Sequence, residues 1–452
     1  MAIVALTDLL AGARPDTHPI AFLNGEPITL ARWRADIVHN AERLRAKRIR
    51  RTALVCEEAY WFVTGLLASI HIGSCVILPP NLQSGTLSEL RDGFDVLLID
   101  TNMGGAGLPT LALEQSGSES ASLRLELQRS SISFFTSGST GAMKEVQKSL
   151  ENFELEARAL ETLWGAQLEG ARVFGTVTHQ HVFGMTFRLM WPLLGGRPFQ
   201  SDFQIAWEPL LDSLTPGAVI VSSPAQLIRL GGLPPLPPAL KPLIVITAGA
   251  PLPESASEET FAIFGCRPTE IFGSTEAGVI GWRDSAAVPG LWRSFQGVEV
   301  KVGTDGVLLL RSAHASHRGW AEQADRITLA ADGQFRLDGR IDRIVKIEGK
   351  RVSLDRLERS VAALPWVSAA AVITLAESSL YLGVVAELSP VGKRDIAELG
   401  KFRFERMLRR ELAHSEDAAV LPRRWRFVDA MPVDGLGKRR NADLRDLFGQ
   451  SG

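Results

Sequence analysis

The sequence predicts an α/β protein whose large N-terminal domain is built on parallel-rich sheets with flanking helices. Three observations predict it. Strand-like and helix-like apolar patterns alternate along most of the chain, several strand patterns end in small or glycine-rich residues, and the charge balance changes after about Leu337. Alternation of this kind puts helices on both faces of a parallel sheet, and the ligand crevice of such sheets lies at the carboxyl ends of the strands. The charge change separates a large acidic part, residues 1–338, from a small basic part, residues 339–452. The small part holds 21 basic and 16 acidic residues, a net of +5 in a chain of formal charge −2.

Taken in order, Leu30, Trp33, Ile37, Ala41 and Leu44 recur at helical spacing, residues 52–56 read as a strand and 60–71 as a helix. Residues 75–78 and 96–99 read as strands. The run 59–88 contains no Asp, Glu, Lys or Arg and is long enough to raise a membrane helix. Thr64, Ser69, His71, Gly73 and Ser74, the Pro79-Pro80 pair and the switch to a short β-rich run point instead to a buried helix followed by a buried strand. Strands resume at 218–221, 243–247 and 270–272. The proline-rich tract 231–242 reads as a surface loop leading into a strand.

Composition excludes whole classes. With 45% hydrophobic and 22% charged residues, disordered, collagen-like and disulfide-knotted chains are ruled out. Cys56, Cys75 and Cys266 suit a reducing, cytoplasmic compartment and cannot by themselves form a structural zinc site. The first residues lack a basic region and Asp8 interrupts their apolar run, so no secretory signal is expected. A net charge near zero gives no reason to expect nucleic acid. Lysine is scarce: ten of the 49 basic residues.

The strongest local signal is the run Ser133, Phe134, Phe135, Thr136, Ser137, Gly138, Ser139, Thr140, Gly141, Ala142, Met143, Lys144. An apolar β-type segment enters a loop of hydroxyls and glycines that closes on a lysine. Glycines let backbone N–H groups approach a phosphate, hydroxyls donate to it, and lysine supplies a point charge. Two residues, not four, separate the glycines, and Lys144 lies three beyond the second, so a Walker A loop is excluded. No Gly-x-Ser-x-Gly elbow marks a serine hydrolase. His179 and His181 lack further ligands at metal spacing.

The Thr136–Lys144 run resembles the phosphate loop of the adenylate-forming superfamily, with Met143 in place of the usual proline. The family's other motifs follow in order. Thr247, Ala248, Gly249, Ala250, Pro251 and Leu252 resemble the small-residue loop beside adenine. Phe272, Gly273, Ser274, Thr275, Glu276 and Ala277 resemble the motif whose aromatic ring packs on adenine, whose Thr contacts the α-phosphate and whose Glu binds Mg²⁺; Phe for Tyr keeps the stacking face. Asp325 stands where the family binds ribose hydroxyls, although Gln323-Ala324 replaces the usual Thr-Gly. Arg340 resembles the arginine that reaches ribose or phosphate, and Asp342 the hinge.

Lys346 to Val352, including Gly349 and Arg351, resembles the turn that swings toward the site for the second half-reaction. Met431 to Lys438 resembles the loop carrying the catalytic lysine, Lys438. His181 is in register with the histidine gating the family's acyl pocket. The resemblance implies a hinged, small α+β C-terminal domain and an enzyme that couples a carboxylic acid to a thiol through an acyl-AMP. It implies ATP and Mg²⁺, with coenzyme A or the phosphopantetheine of an acyl carrier protein as acceptor. The compact length and the segment around His181 resemble AMP-ligases of aryl-polyene and xanthomonadin-type pigment pathways, implying a hydroxybenzoate-like acid. A fatty acyl-CoA synthetase and a catalytically dead nucleotide-binding regulator are the alternatives. Lys401, Arg403, Arg406, Arg409 and Arg410 cluster on an expected helix, where they suit coenzyme A phosphates or an acidic carrier protein.

Overall fold

The alternating patterns become parallel strands. The computed structural model describes the chain apart from residues 1–2, 80–86, 88, 101–106, 119–129, 138–142, 203, 205, 285–289, 316, 318, 348–349, 377–379, 414–420, 434–438 and 450–452. Two compact units result: residues 1–300 with 310–320, and residues 301–309 with 321–452. The charge-based boundary at 338/339 falls inside the second unit, because the hairpin from Ala321 to Arg340 lies wholly within it.

The first unit opens with β1 (Pro19–Leu23), β2 (Glu26–Thr29) and α1 (Leu30–Ala46). Next come β3 (Arg51–Val55), α2 (Ala59–His71), β4 (Cys75–Leu78), β5 (Val96–Ile99) and β6 (Thr110–Ala112). Then follow β7 (Ile132–Ser137), β8 (Met143–Lys148) and α3 (Leu150–Trp164). One sheet runs β6-β5-β3-β4-β7-β8, parallel except for the last pair. The helix and strand expected from residue 59 are both present and buried. The helix satisfies its own hydroxyls: Thr64 Oγ1 donates to Tyr60 O and Ser69 Oγ to Gly65 O. Tyr60 Oη also donates to the buried Asp36 carboxylate of α1 at 2.6 Å. Among the described residues no helix is long and apolar enough to cross a membrane.

A second sheet of this unit begins with β9 (Arg172–Gly175), β10 (Phe199–Gln200), β11 (Ala218–Ser222) and β12 (Ile244–Ala248). It continues through β13 (Thr269–Ser274), β14 (Gly278–Asp284) and β15 (Leu291–Ser294). Its order within the unit is β2-β1-β10-β9-β11-β12-β13-β14-β15, parallel from β1 to β13. The strands expected at 218–221, 243–247 and 270–272 are β11, β12 and β13. What alternation does not predict is the antiparallel hairpins β7–β8 and β13–β14. Their connections are too short for a crossover helix, so each strand folds back on its neighbour.

The second unit is α+β. β16 (Ala321–Leu329) pairs antiparallel with β17 (Phe335–Arg340), and β18 (Ile344–Ile347) with β19 (Lys350–Ser353). α4 (Leu354–Ala362) then leads into a sheet of β20 (Val367–Ala376), β21 (Leu380–Leu388) and β22 (Arg424–Val428). Helices α5 (Pro390–Leu399), α6 (Lys401–Leu412) and α7 (Asn441–Gly449) complete it. Its core gathers Leu357, Val361, Val384, Phe404, Leu408 and Trp425.

Candidate active site

Strand β7 delivers Thr136 opposite Lys144 and Ser137 opposite Met143 on β8. Gly138, Ser139, Thr140 and Gly141, which complete the motif, lie outside the described residues. Lys144 is exposed, and its Nζ donates to Glu276 Oε1 at 2.7 Å, across 132 residues of sequence. The phosphate-loop candidate and the metal-ligand candidate are therefore neighbours.

Glu276 sits in the tight turn between β13 and β14. Ser274 Oγ accepts from Ala277 N at 3.1 Å, and Ser312 Oγ donates to Ala277 O at 3.1 Å. Two glycines are required here. A Cβ on Gly273 would come within 2.5 Å of Gly278 O, and Gly278 has φ +75° and nearly touches Glu156. Thr275 is almost buried at 7% exposure, whereas the Glu276 side chain is 38% exposed. Among the described residues no group of three or more His, Cys, Asp or Glu could hold a metal. One exposed carboxylate fits Mg²⁺, which is bound through one or two carboxylates together with substrate phosphates and waters.

Phe272 lies on β13 with its ring 5.7 Å from that of Trp292, inclined at 57°. Trp292 is covered in turn by Arg283, whose guanidinium lies 4.6 Å from the ring and is held by two hydrogen bonds to Glu270 at 2.8 and 2.9 Å. Trp292 and Arg283 thus back the Phe272 ring. Gly249, Ala250 and Pro251 are exposed just beyond the carboxyl end of β12, and Gly249 has φ +98°. Strand ends of this kind are where open parallel sheets bind ligands.

His181 is the N-cap of the short helix Val182–Gly184, its Nδ1 accepting from Phe183 N at 3.3 Å. It is half-buried, unlike His179 two residues earlier. His179 is fully enclosed, with Nε2 2.9 Å from Cys56 O and its ring against Phe62. Burial, followed by the nearby Arg188 charge, pushes the His179 pKa down to about 3. Arg188 itself is buried and donates to the carbonyls of Val177, Gln200 and Asp202. Its pKa is lowered to about 10, chiefly by burial.

In the second unit, Asp325 and Arg340 are direct cross-strand partners on β16 and β17, with Arg340 Nη1 4.0 Å from Asp325 Oδ2. Asp342 lies in the turn Ile341–Arg343 that follows. Asp355 of α4 holds this turn from both sides, accepting from Arg340 N at 2.9 Å and pairing with Arg343 Nε at 2.8 Å. Arg351 is on β19, paired with Lys346 on β18. Gly349 and Lys438 lie outside the described residues. The chain on either side of the Lys438 loop is anchored: Met431 N donates to Glu387 Oε2 at 3.2 Å, and Arg439 Nη1 donates to Ala370 O.

Sequence reasoning missed one group entirely. Lys148 at the end of β8 and Glu156 on α3 form a pair 3.3 Å apart with side chains 0% and 1% exposed, under the Glu276 turn. Strand parity alone could not have found it: Lys144 and Lys148 both share the parity of the buried Val146, yet Lys144 is exposed and Lys148 enclosed.

Motif-bearing loops at the carboxyl ends of parallel strands, with a lysine beside a carboxylate, are what the resemblance to adenylate-forming enzymes implies. The AMP-binding enzyme family matches residues 129–307. The chain is 27% identical over 311 residues to 4-coumarate–CoA ligase of Rhodobacter capsulatus, covering 69% of this chain and 75% of that protein. It is 26% identical over 364 residues to anthranilate–CoA ligase of Pseudomonas aeruginosa, covering 69% and 66% respectively. The fold is that of the anthranilate CoA ligase AuaEII solved with anthranoyl-AMP: TM-score 0.78, 18% identity, 98% of this chain and 97% of that one. The resemblance read from the motifs is borne out: the AMP-binding enzyme match and the similarity to AMP-forming acid–CoA ligases both support it.

Proposed function

We infer that this enzyme activates an aryl carboxylic acid of the hydroxybenzoate type with ATP, releasing pyrophosphate, and passes the acyl group to a thiol. The acceptor thiol is that of a phosphopantetheine-bearing acyl carrier protein or of coenzyme A, in a cytoplasmic setting. The observation that carries the reading is the 2.7 Å contact between Lys144 and Glu276, which joins two motifs distant in sequence. The aryl assignment draws on relatives named for coumarate and anthranilate.

A carboxylate cannot expel oxide, so its oxygen must first acquire a phosphoryl leaving group. In the first half-reaction the substrate carboxylate attacks the α-phosphorus in line and pyrophosphate departs. Two anions have to meet, and the site answers with concentrated positive charge. The loop from Thr136 to Lys144 holds the β- and γ-phosphates, Thr275 donates to the α-phosphate, and Lys438 lies between carboxylate and α-phosphate. Glu276 would hold Mg²⁺, which supplies charge neutralisation of the phosphates. Phe272, with Gly249, Ala250 and Pro251, forms the adenine slot; Asp325 and Arg340 take the ribose; His181 closes the acyl end. In the second half-reaction the small domain, residues 339–452, turns about Asp342, withdraws Lys438 and brings Gly349 and Arg351 to the site. The thiolate then attacks the acyl carbon and AMP leaves.

The exposed face of α6, with Lys401, Arg403, Arg406 and Arg410, supports an acidic acceptor. Pyrophosphate release measured across a panel of carboxylic acids tests the reading. Release with hydroxybenzoates and not with fatty acids is expected; a fatty-acid-only response overturns the substrate, and no release with any acid overturns the activity.

A further inference from the structure

The buried Lys148–Glu156 pair joins three segments that carry the proposed site. Lys148 ends β8, four residues after Lys144 on the same strand, and its Nζ donates to His314 O at 3.1 Å while lying 3.3 Å from Glu156 Oε1. The other carboxylate oxygen, Oε2, accepts from Thr186 Oγ1 at 2.7 Å. Thr186 stands in a π-helical stretch, Met185–Met190, that continues the short helix capped by His181. Irregular turns of that kind recur at functional sites.

Above the pair lies the Glu276 turn. Gly278 rests on Glu156 so closely that a Cβ would come within 2.2 Å of Oε1, and its φ of +75° permits the approach. His314 secures the other side: its Nδ1 is 3.2 Å from Val279 O, and its N donates to Ser312 Oγ, which in turn donates to Ala277 O. A wholly enclosed ion pair is a poor source of stability, because desolvating two charges offsets their attraction and an apolar pair of equal volume often does as well. What such a pair supplies is a fixed arrangement of the groups hydrogen-bonded to it. Here those groups are Thr186, in the helix behind His181, and His314, which reaches the turn bearing Thr275 and Glu276 through Ser312, while Lys148 itself ends the strand bearing Lys144.

We propose that Lys148 and Glu156 are positioning residues that hold the Thr275–Glu276 turn in register with Lys144 on one side and the acyl-side helix on the other. The proposal rests on the adenylation reading for its kinetic consequence but not for its structural one. The test compares the full-length parent with Lys148→Met/Glu156→Leu, which replaces the charges at similar volume, and with Thr186→Val, which removes only one hydrogen bond. Thermal midpoint, amide hydrogen exchange over residues 270–284, and kcat and KM for ATP in pyrophosphate exchange are measured for each.

In the double variant we expect cooperative unfolding to persist, amides of Thr275 to Val279 to exchange at least about tenfold faster while those of β11 and β12 keep their protection, and kcat to fall about 10- to 100-fold. Thr186→Val is expected to show the same pattern at about threefold. Uniform loss of protection across the unit with unchanged kcat per folded enzyme, or parental exchange in the turn, overturns the proposal. If the double variant does not fold, Thr186→Val decides by the same criteria. If the parent gives no pyrophosphate exchange with any acid, the proposed activity fails while the local exchange measurement still judges the positioning role.

Discussion

Lys144 Nζ donates to Glu276 Oε1 at 2.7 Å, bringing together the return strand of the phosphate loop and the β13–β14 turn. Both side chains are exposed, so the contact itself adds little stability; surface pairs are worth roughly 0–1 kcal/mol. Its importance is positional: it sets the phosphate-loop candidate beside the metal-ligand candidate.

Lys144→Ala is therefore expected to leave the thermal midpoint almost unchanged. The variant should lose on the order of 10²- to 10³-fold in kcat/KM for ATP, as is usual when a preorganised charge on a transferring phosphoryl group is removed. Pyrophosphate exchange checks it; parental kcat/KM would remove Lys144 from the phosphate site.

Lys438→Ala should abolish ATP-dependent adenylation and leave thioester formation from supplied acyl adenylate largely intact. Lys438→Arg should also damage adenylation, because a planar fork is a poor substitute for a compact ammonium between two oxyanions. Equal loss in both half-reactions would contradict the assignment of this lysine to one of them.

His179 gives the fold a pH dependence of known sign. Its folded pKa is lowered from 6.5 to about 3, so between those values the unfolded chain binds more protons than the native one. Its contribution is complete above about pH 6.5 and is lost as pH falls toward 3, by about 1.4 kcal/mol per unit. Denaturant titrations from pH 7.5 to 4.5 should show this slope, and His179→Gln should flatten it.

Charge reversal on α6 tests the acceptor. Arg403→Glu/Arg406→Glu should raise the KM for the acceptor thiol at low ionic strength, with the difference from the parent shrinking as salt is added. An acceptor KM unchanged at low and moderate salt would assign α6 no part in acceptor binding.

The motif residues stood out in the sequence because each set is local: the 133–144 run and the Phe272–Ala277 turn are contiguous, and Asp325 and Arg340 belong to one hairpin. The buried helix and strand after residue 59 were legible for a similar reason, since their pattern is local. The strand directions were not, because alternation cannot distinguish a crossover from a fold-back. Lys148, Glu156, Thr186 and His314 were not legible either. They come from four separate segments, and nothing local in a lysine or glutamate says that it will be enclosed.

Trp292 makes the proposed adenine end of the site optically accessible. Its indole lies between Phe272 and the Arg283 guanidinium, so a purine packing against the Phe272 ring would alter the surroundings of a native fluorophore. Difference emission between the parent and Trp292→Phe then reports nucleotide occupancy directly, in real time and without a label.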